Sequence, residues 1–226
     1  MKHFLTYGPF CGCSKALAAA LVAASLPAQA AEVDIYALGD SLTQGYGLIE
    51  QEALIPQLRV WLAERGHDVR VVNGGVSGDT TAGGLARIDW ALTPEIDAMI
   101  VALGGNDLLR GIDPAAARAN LDGILQKAEA AGIEVLLVGM SAPGNYGPDY
   151  KAAFDAIYPD LAQEYGTLYM EDFFEGLRSE GESPADLGRF MQPDGIHPNG
   201  QGVQRIIEAL GPNVEELIER VTASGL

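Results

Sequence analysis

The 226-residue chain is short of the side chains that most often carry chemistry or bind charged partners. It has three histidines, two cysteines and 14 basic residues against 31 acidic ones, a formal net charge of −17. The cations are scattered singly. Nucleic-acid and anionic-membrane binders need clustered Lys and Arg, so both classes are excluded. Cys11 and Cys13 are the only thiols, and both lie near the amino end. The rest of the chain therefore has no disulfide, no thiol nucleophile and no thiolate metal site. Uninterrupted apolar runs are also short: Ala16 to Leu26, broken by Ser25, is about half the ~20 residues that span a bilayer.

That run belongs to an expected export signal. Lys2 and Lys15 are the only charges before Glu32, and Pro27-Ala28-Gln29-Ala30 supplies small residues for cleavage after Ala30. The cysteines precede the apolar run, so a lipid anchor does not fit, and no stable membrane anchor is expected. Residues 1–30 are read as a signal peptide and 31–226 as a single domain in the periplasm or outside the cell. Loss of Lys2 and Lys15 leaves 12 basic against 31 acidic side chains, a charge of −19.

What remains alternates strand-like and helix-like segments. Strands are expected at Val33–Leu38, Val69–Val72, Asp97–Leu103, Val135–Met140 and Thr167–Met170. Helices are expected at Glu50–Arg65, Thr80–Leu92 (capped by Asp79), Pro114–Ala131, Tyr150–Tyr165 and Gln201–Val221. Strands separated by helices imply right-handed crossovers and a parallel sheet covered on both faces. In such sheets the chemistry lies in loops at the carboxyl ends of the strands. The glycine-rich turns after the first three strands all reach that edge.

Elimination narrows the candidates. His3 leaves with the leader, and His67, in Gly66-His67-Asp68, reads as a solvated turn residue. His197 is then the one good candidate base. Asp194 precedes it by three residues across Gly195, a spacing that can set a carboxylate against imidazole Nδ1. The pair serves equally well as a local turn cap, so both readings stand until other residues are added. Ser41, in Gly39-Asp40-Ser41-Leu42, ends the first strand and points at the same edge. Its surroundings match neither a G-x-G-x-x-G fingerprint, nor a P-loop, nor a G-x-S-x-G elbow. Two further turns offer donors for a developing oxyanion: the Gly78 backbone N–H and the Asn106 side chain. Asp40, Asp79 and Asp107 read as loop-fixing carboxylates that accept backbone N–H groups, in preference to a metal site.

Together these residues resemble the SGNH, or GDSL, hydrolase superfamily. Its four blocks are Gly39-Asp40-Ser41-Leu42, the glycine of Val76-Ser77-Gly78-Asp79-Thr80, Gly105-Asn106-Asp107 and Asp194-Gly195-Ile196-His197-Pro198. Asn73, Gly84-Leu85-Ala86-Arg87, Leu109-Arg110-Gly111 and Pro143-Gly144-Asn145-Tyr146-Gly147 are similar to the arylesterase and thioesterase/lysophospholipase branch. The resemblance covers residues 33–221. It implies a flavodoxin-like three-layer α/β/α sandwich with a five-stranded parallel sheet. It implies Ser41 as nucleophile, His197 as base and then acid, and Asp194 as its orienting partner. The Ser41 and Gly78 backbone N–H groups and the Asn106 amide would form the oxyanion hole. No metal or organic cofactor is implied. Tyr146 and the 108–113 segment would line the groove, by family analogy.

The expected activity is hydrolysis of small-molecule carboxylic esters (acyl or aryl), with lysophospholipids or thioesters as further substrates, through a seryl acyl-enzyme. The net charge and the export signal disfavour anionic acyl-CoA and favour neutral esters, aryl esters and zwitterionic lysophospholipids. The chain shows no long lid insertion, which implies an open groove of broad specificity. Two alternatives are a carbohydrate O-deacetylase on the same scaffold and a non-catalytic flavodoxin-like binding module.

Overall fold

The computed structural model describes residues 33–178 and 187–225, with Met1 and His3. The chain divides into Met1–Ala30 and Ala31–Leu226. Apart from Met1 and His3, the expected signal peptide, with Cys11 and Cys13, lies outside the described residues. Among the described residues no helix is long and apolar enough to cross a membrane.

Five strands form one parallel sheet: β1 (Val33–Gly39), β2 (Val69–Gly75), β3 (Ala98–Ala102), β4 (Glu134–Val138) and β5 (Leu168–Met170), in the order β2-β1-β3-β4-β5. This is the flavodoxin-like order. Every residue of the central β3 is buried, which fits a strand covered on both faces. One covering layer is α2 (Leu54–Glu64) with α8 (Gly200–Ala223), which pack against each other. The opposite layer contains α3 (Thr81–Arg87), α5 (Pro114–Ala130), α6 (Pro148–Asp155) and α7 (Ile157–Tyr165). Two short helices, α1 (Ser41–Gln44) and α4 (Gly105–Arg110), stand directly after β1 and β3.

The strand order places the site. In this order the chain leaves β1 toward β2 and leaves the adjacent β3 in the opposite direction toward β4, so a crevice opens between their carboxyl ends. The register makes this specific: Gly39 pairs with Gly75 on one side and with Ala102 on the other. Ser41, the 76–79 turn and the 104–107 turn therefore leave the sheet side by side.

Four expected elements differ. Asn73-Gly74-Gly75 continues β2 in register with Ala37, Leu38 and Gly39. A Cβ on Gly75 would stand 2.3 Å from the Gln44 nitrogen, so this strand end is glycine because the α1 turn lies on it. The helix expected from Glu50 begins at Leu54 after a 3-10 turn at Glu50–Glu52. The Tyr150–Tyr165 helix breaks at Ala156, because Pro159 has no N–H to return to the Asp155 carbonyl. The third helix stops at Arg87 and passes into a 3-10 turn, Ile88–Trp90. Its cap is Thr80, whose hydroxyl accepts from Gly83 N–H at 3.3 Å, and not Asp79. The remaining bounds agree to within two residues.

Trp61 of α2 fills the seam with α8, and its indole lies against Gly211. A Cβ there would stand 2.5 Å from the ring, while the Arg65 guanidinium covers the indole at 3.5 Å. Alanine is the better helix former by roughly 1 kcal/mol. Gly211→Ala is nevertheless expected to lower stability by about 1–3 kcal/mol through overpacking. Urea unfolding of the two proteins would decide it, and an equal or higher midpoint in the variant would refute the close-packed seam.

Candidate active site

Asp40 shapes the turn after β1. Its Oδ1 accepts from Leu42 N–H at 3.0 Å, closing the first turn of α1 and setting Ser41 at the sheet edge. Its Oδ2 accepts from the Asn106 amide at 3.1 Å. Burial raises the Asp40 pKa, and these two donors act against that rise. Asn106 itself stands at the start of α4, after Gly104, whose φ of +121° suits glycine. A Cβ on Gly104 would meet the Tyr158 hydroxyl at 2.0 Å, and that hydroxyl donates to the Leu103 carbonyl at 2.8 Å.

Asp194 and His197 form a tight unit before α8. Asp194 Oδ1 accepts from the backbone N–H groups of Ile196 (2.9 Å) and His197 (3.0 Å), and Oδ2 bonds His197 Nδ1 at 2.7 Å. Gly195, at φ +67°, provides the turn. The His197 side chain, followed by the two backbone N–H groups, lowers the Asp194 pKa to about 2. His197 Nε2 lies 2.8 Å from Ser41 Oγ. With Nδ1 committed to a carboxylate as donor, Nε2 is left as the acceptor for the serine proton.

The 76–79 turn is tied to the same edge. Val76 N–H donates to the Gly39 carbonyl at 3.1 Å, and Gln44 Oε1 accepts from the Ser77 backbone and hydroxyl. Gly78 adopts φ +84°, and its carbonyl accepts from Arg110 at 2.8 Å. Of the three flanking aspartates, Asp40 and Asp107 do accept backbone N–H groups, Asp107 from Thr81 at 2.8 Å. Asp79 does something else: it pairs with Arg87 at 2.6 Å, and Arg87 also donates to the Gly39 carbonyl at 2.9 Å. No cluster able to hold a metal ion occurs among the described residues.

A cavity of about 250 Å³ opens beside Ser41, Asn106 and His197. Leu42, Leu108, Leu109, Met140, Tyr146 and Phe174 give it a largely apolar wall. Tyr146 and two residues of the 108–113 segment thus line it as expected. Gly78 and Asp194 lie outside that lining, Asp194 behind the imidazole. His67 is not a free turn residue: its Nε2 pairs with Glu215 of α8 at 2.8 Å. Sequence reasoning missed Tyr46, whose ring stands 4.7 Å from that of His197 at 39°. An aromatic between two glycines in a turn was the available signal.

The parallel sheet in flavodoxin-like order thus carries a hydrogen-bonded Ser41–His197–Asp194 chain at its switch point. Residues 37–205 match the GDSL-like lipase/acylhydrolase family. The chain is 39% identical over 203 residues to Esterase TesA of Pseudomonas aeruginosa, covering 89% of this chain and 98% of that protein. It is 37% identical over 183 residues to thioesterase 1/protease 1/lysophospholipase L1 of Escherichia coli K12, covering 80% and 83%. The crystal structure of TesA superposes with a TM-score of 0.72 at 39% identity, over 81% of this chain and 99% of that one. The chain belongs to the GDSL-like lipase/acylhydrolase family. It is a carboxylic ester hydrolase, and the non-catalytic binding module is set aside.

The depressed Asp194 pKa has a consequence for stability. A carboxyl group whose folded pKa lies below its ordinary value of 3.8 stabilises the fold at higher pH. That contribution is complete above about pH 5 and disappears as pH falls through about 2. Asp194→Asn is therefore expected to be less stable than the wild type at neutral pH, with the gap closing toward pH 2. Urea midpoints measured from pH 7 to pH 2 would test this, and a constant gap would sink it.

Proposed function

We propose that the protein is an exported serine esterase that cleaves neutral or zwitterionic acyl esters through a seryl acyl-enzyme. The observation carrying this reading is the chain of contacts from Ser41 Oγ to His197 Nε2 (2.8 Å) and from His197 Nδ1 to Asp194 (2.7 Å). Ser41 Oγ attacks the ester carbonyl carbon while its proton passes to His197 Nε2. Asp194, ionised at all working pH values, stabilises the imidazolium that forms. The negative charge on the carbonyl oxygen is taken by the Ser41 and Gly78 backbone N–H groups and by Asn106. One Asn106 hydrogen is held by Asp40, so the other remains for the oxyanion. Collapse expels the alcohol, which leaves with the proton from His197. Water then attacks the acyl-enzyme with His197 as base, releasing the acid and restoring Ser41.

The apolar wall supports an acyl chain as the bound group, and a cavity of about 250 Å³ favours short and medium chains. The acidic surface disfavours acyl-CoA, whose phosphates would be repelled. We infer that residues 1–30 are removed on export. Amino-terminal sequencing of protein recovered from the periplasm or medium is expected to begin at Ala31.

Hydrolysis of p-nitrophenyl esters from acetate to palmitate tests the mechanism. It is expected to vanish in Ser41→Ala and to decline gradually with chain length in the wild type. Asn106→Ala is expected to lower kcat by about 10²–10³-fold, the effect of losing one oxyanion donor. Activity retained in Ser41→Ala would refute the serine mechanism. Acetate-only activity would point to the O-deacetylase.

A further inference from the structure

One side chain fastens the loop carrying Asp194 and His197 to the turn that follows Ser41. The Gln192 Nε2 donates to the Tyr46 carbonyl at 2.8 Å and to the Pro198 carbonyl at 3.0 Å. Both partners are acceptors without a hydrogen, so only the nitrogen end of the amide can face them. The Gln192 backbone closes the histidine loop from within. Its N–H donates to the His197 carbonyl at 2.7 Å, and its carbonyl accepts from Gly195 N–H at 3.0 Å. On the serine side, the turn has room for the carboxamide only because Gly47 lacks a side chain. A Cβ there would stand 2.2 Å from Gln192 Oε1, and φ at Gly47 is +75°. The Tyr46 ring, carried by the same peptide that Gln192 holds, lies against the His197 imidazole.

We propose that Gln192 is a positioning residue for the Ser41–His197 hydrogen bond, an inference that rests on the catalytic roles assigned above. Ser41 belongs to the sheet edge and His197 to the approach to α8, so their 2.8 Å contact joins residues 156 apart in the chain. The Gln192 amide spans the same gap with two hydrogen bonds, one to each side. Gln192 does not line the cavity beside Ser41, so it acts on the geometry of the base and leaves substrate contacts alone. Displacing a reacting group by about 1 Å can cost about 10²-fold in rate.

Gln192→Met keeps the length of the side chain and removes both donors. On p-nitrophenyl butyrate its kcat is expected to fall roughly ten- to a hundredfold, with KM changed by less than about twofold. The rate at which a p-nitrophenyl alkylphosphonate labels Ser41 should fall by the same factor. The low-field NMR signal of the His197 Nδ1 proton should persist, since Asp194 holds it within the loop. Gln192→Asn keeps the donors one methylene short and reaches one carbonyl, so an intermediate loss is expected. It also carries the test if the methionine variant does not fold. Unchanged kcat and labelling rate in a folded variant, or a loss confined to KM, would overturn the proposal. Hydrolysis surviving in Ser41→Ala would instead overturn the serine mechanism itself.

Discussion

The candidate site turns on one hydrogen bond of 2.8 Å between a serine at the end of the first strand and a histidine just before the last helix. Closing a contact over 156 residues requires every intervening crossover to deliver its loop within a fraction of an ångström. No local device can do that alone. Parallel pairing does the coarse work, because Gly39 is in register with Gly75 and with Ala102 and the three turns begin level. Side chains do the fine work by crossing between turns. Asp40 reaches Asn106, Gln44 reaches Ser77, Arg87 joins Asp79 to the Gly39 carbonyl, and Gln192 joins Tyr46 to Pro198.

Few charged side chains are buried, because burying a charge is costly unless hydrogen bonds compensate it. Among the described residues, Asp40, Asp107 and Asp172 are the buried acids, and each receives hydrogen bonds from the backbone or a side chain. Burial raises the Asp40 pKa, whereas Asp194, partly exposed and with three donors, is driven down to about 2. One carboxylate thus closes the serine turn and the other is hydrogen-bonded to the histidine ring. Their environments, and not their chemistry, separate the two tasks.

Much of this was legible in the sequence because the chemistry is local to short motifs. Asp194, Gly195 and His197 form a closed unit within four residues, so spacing admitted both a turn cap and the histidine contact, and the fold displays both. Alternation of strand and helix was enough for the layers, and the glycine turns marked the working edge. The illegible features depend on tertiary partners. His67 looked like a turn residue because its partner, Glu215, lies 148 positions away. Asp79 looked like a helix cap because it stands just before the helix, but its carboxylate goes to Arg87 and Thr80 caps in its place. Gln192 has no signature of its own and Tyr46 only its place between two glycines, since their roles exist only once two distant loops meet.

The division between cavity wall and hydrogen-bonded edge also bears on how such a site can vary. Leu42, Leu109, Tyr146 and Phe174 contact the cavity through apolar atoms, and such contacts tolerate changes of shape at modest cost. The cross-links do not, because removing one member leaves a polar partner unmatched in a partly buried place. Under the proposed mechanism, substrate preference can therefore drift along the wall while the Ser41–His197 geometry is held by groups outside the cavity lining. Gln192 lies on the held side of that boundary, and Tyr46 occupies the boundary itself: its carbonyl is fastened and its ring lies against the His197 imidazole.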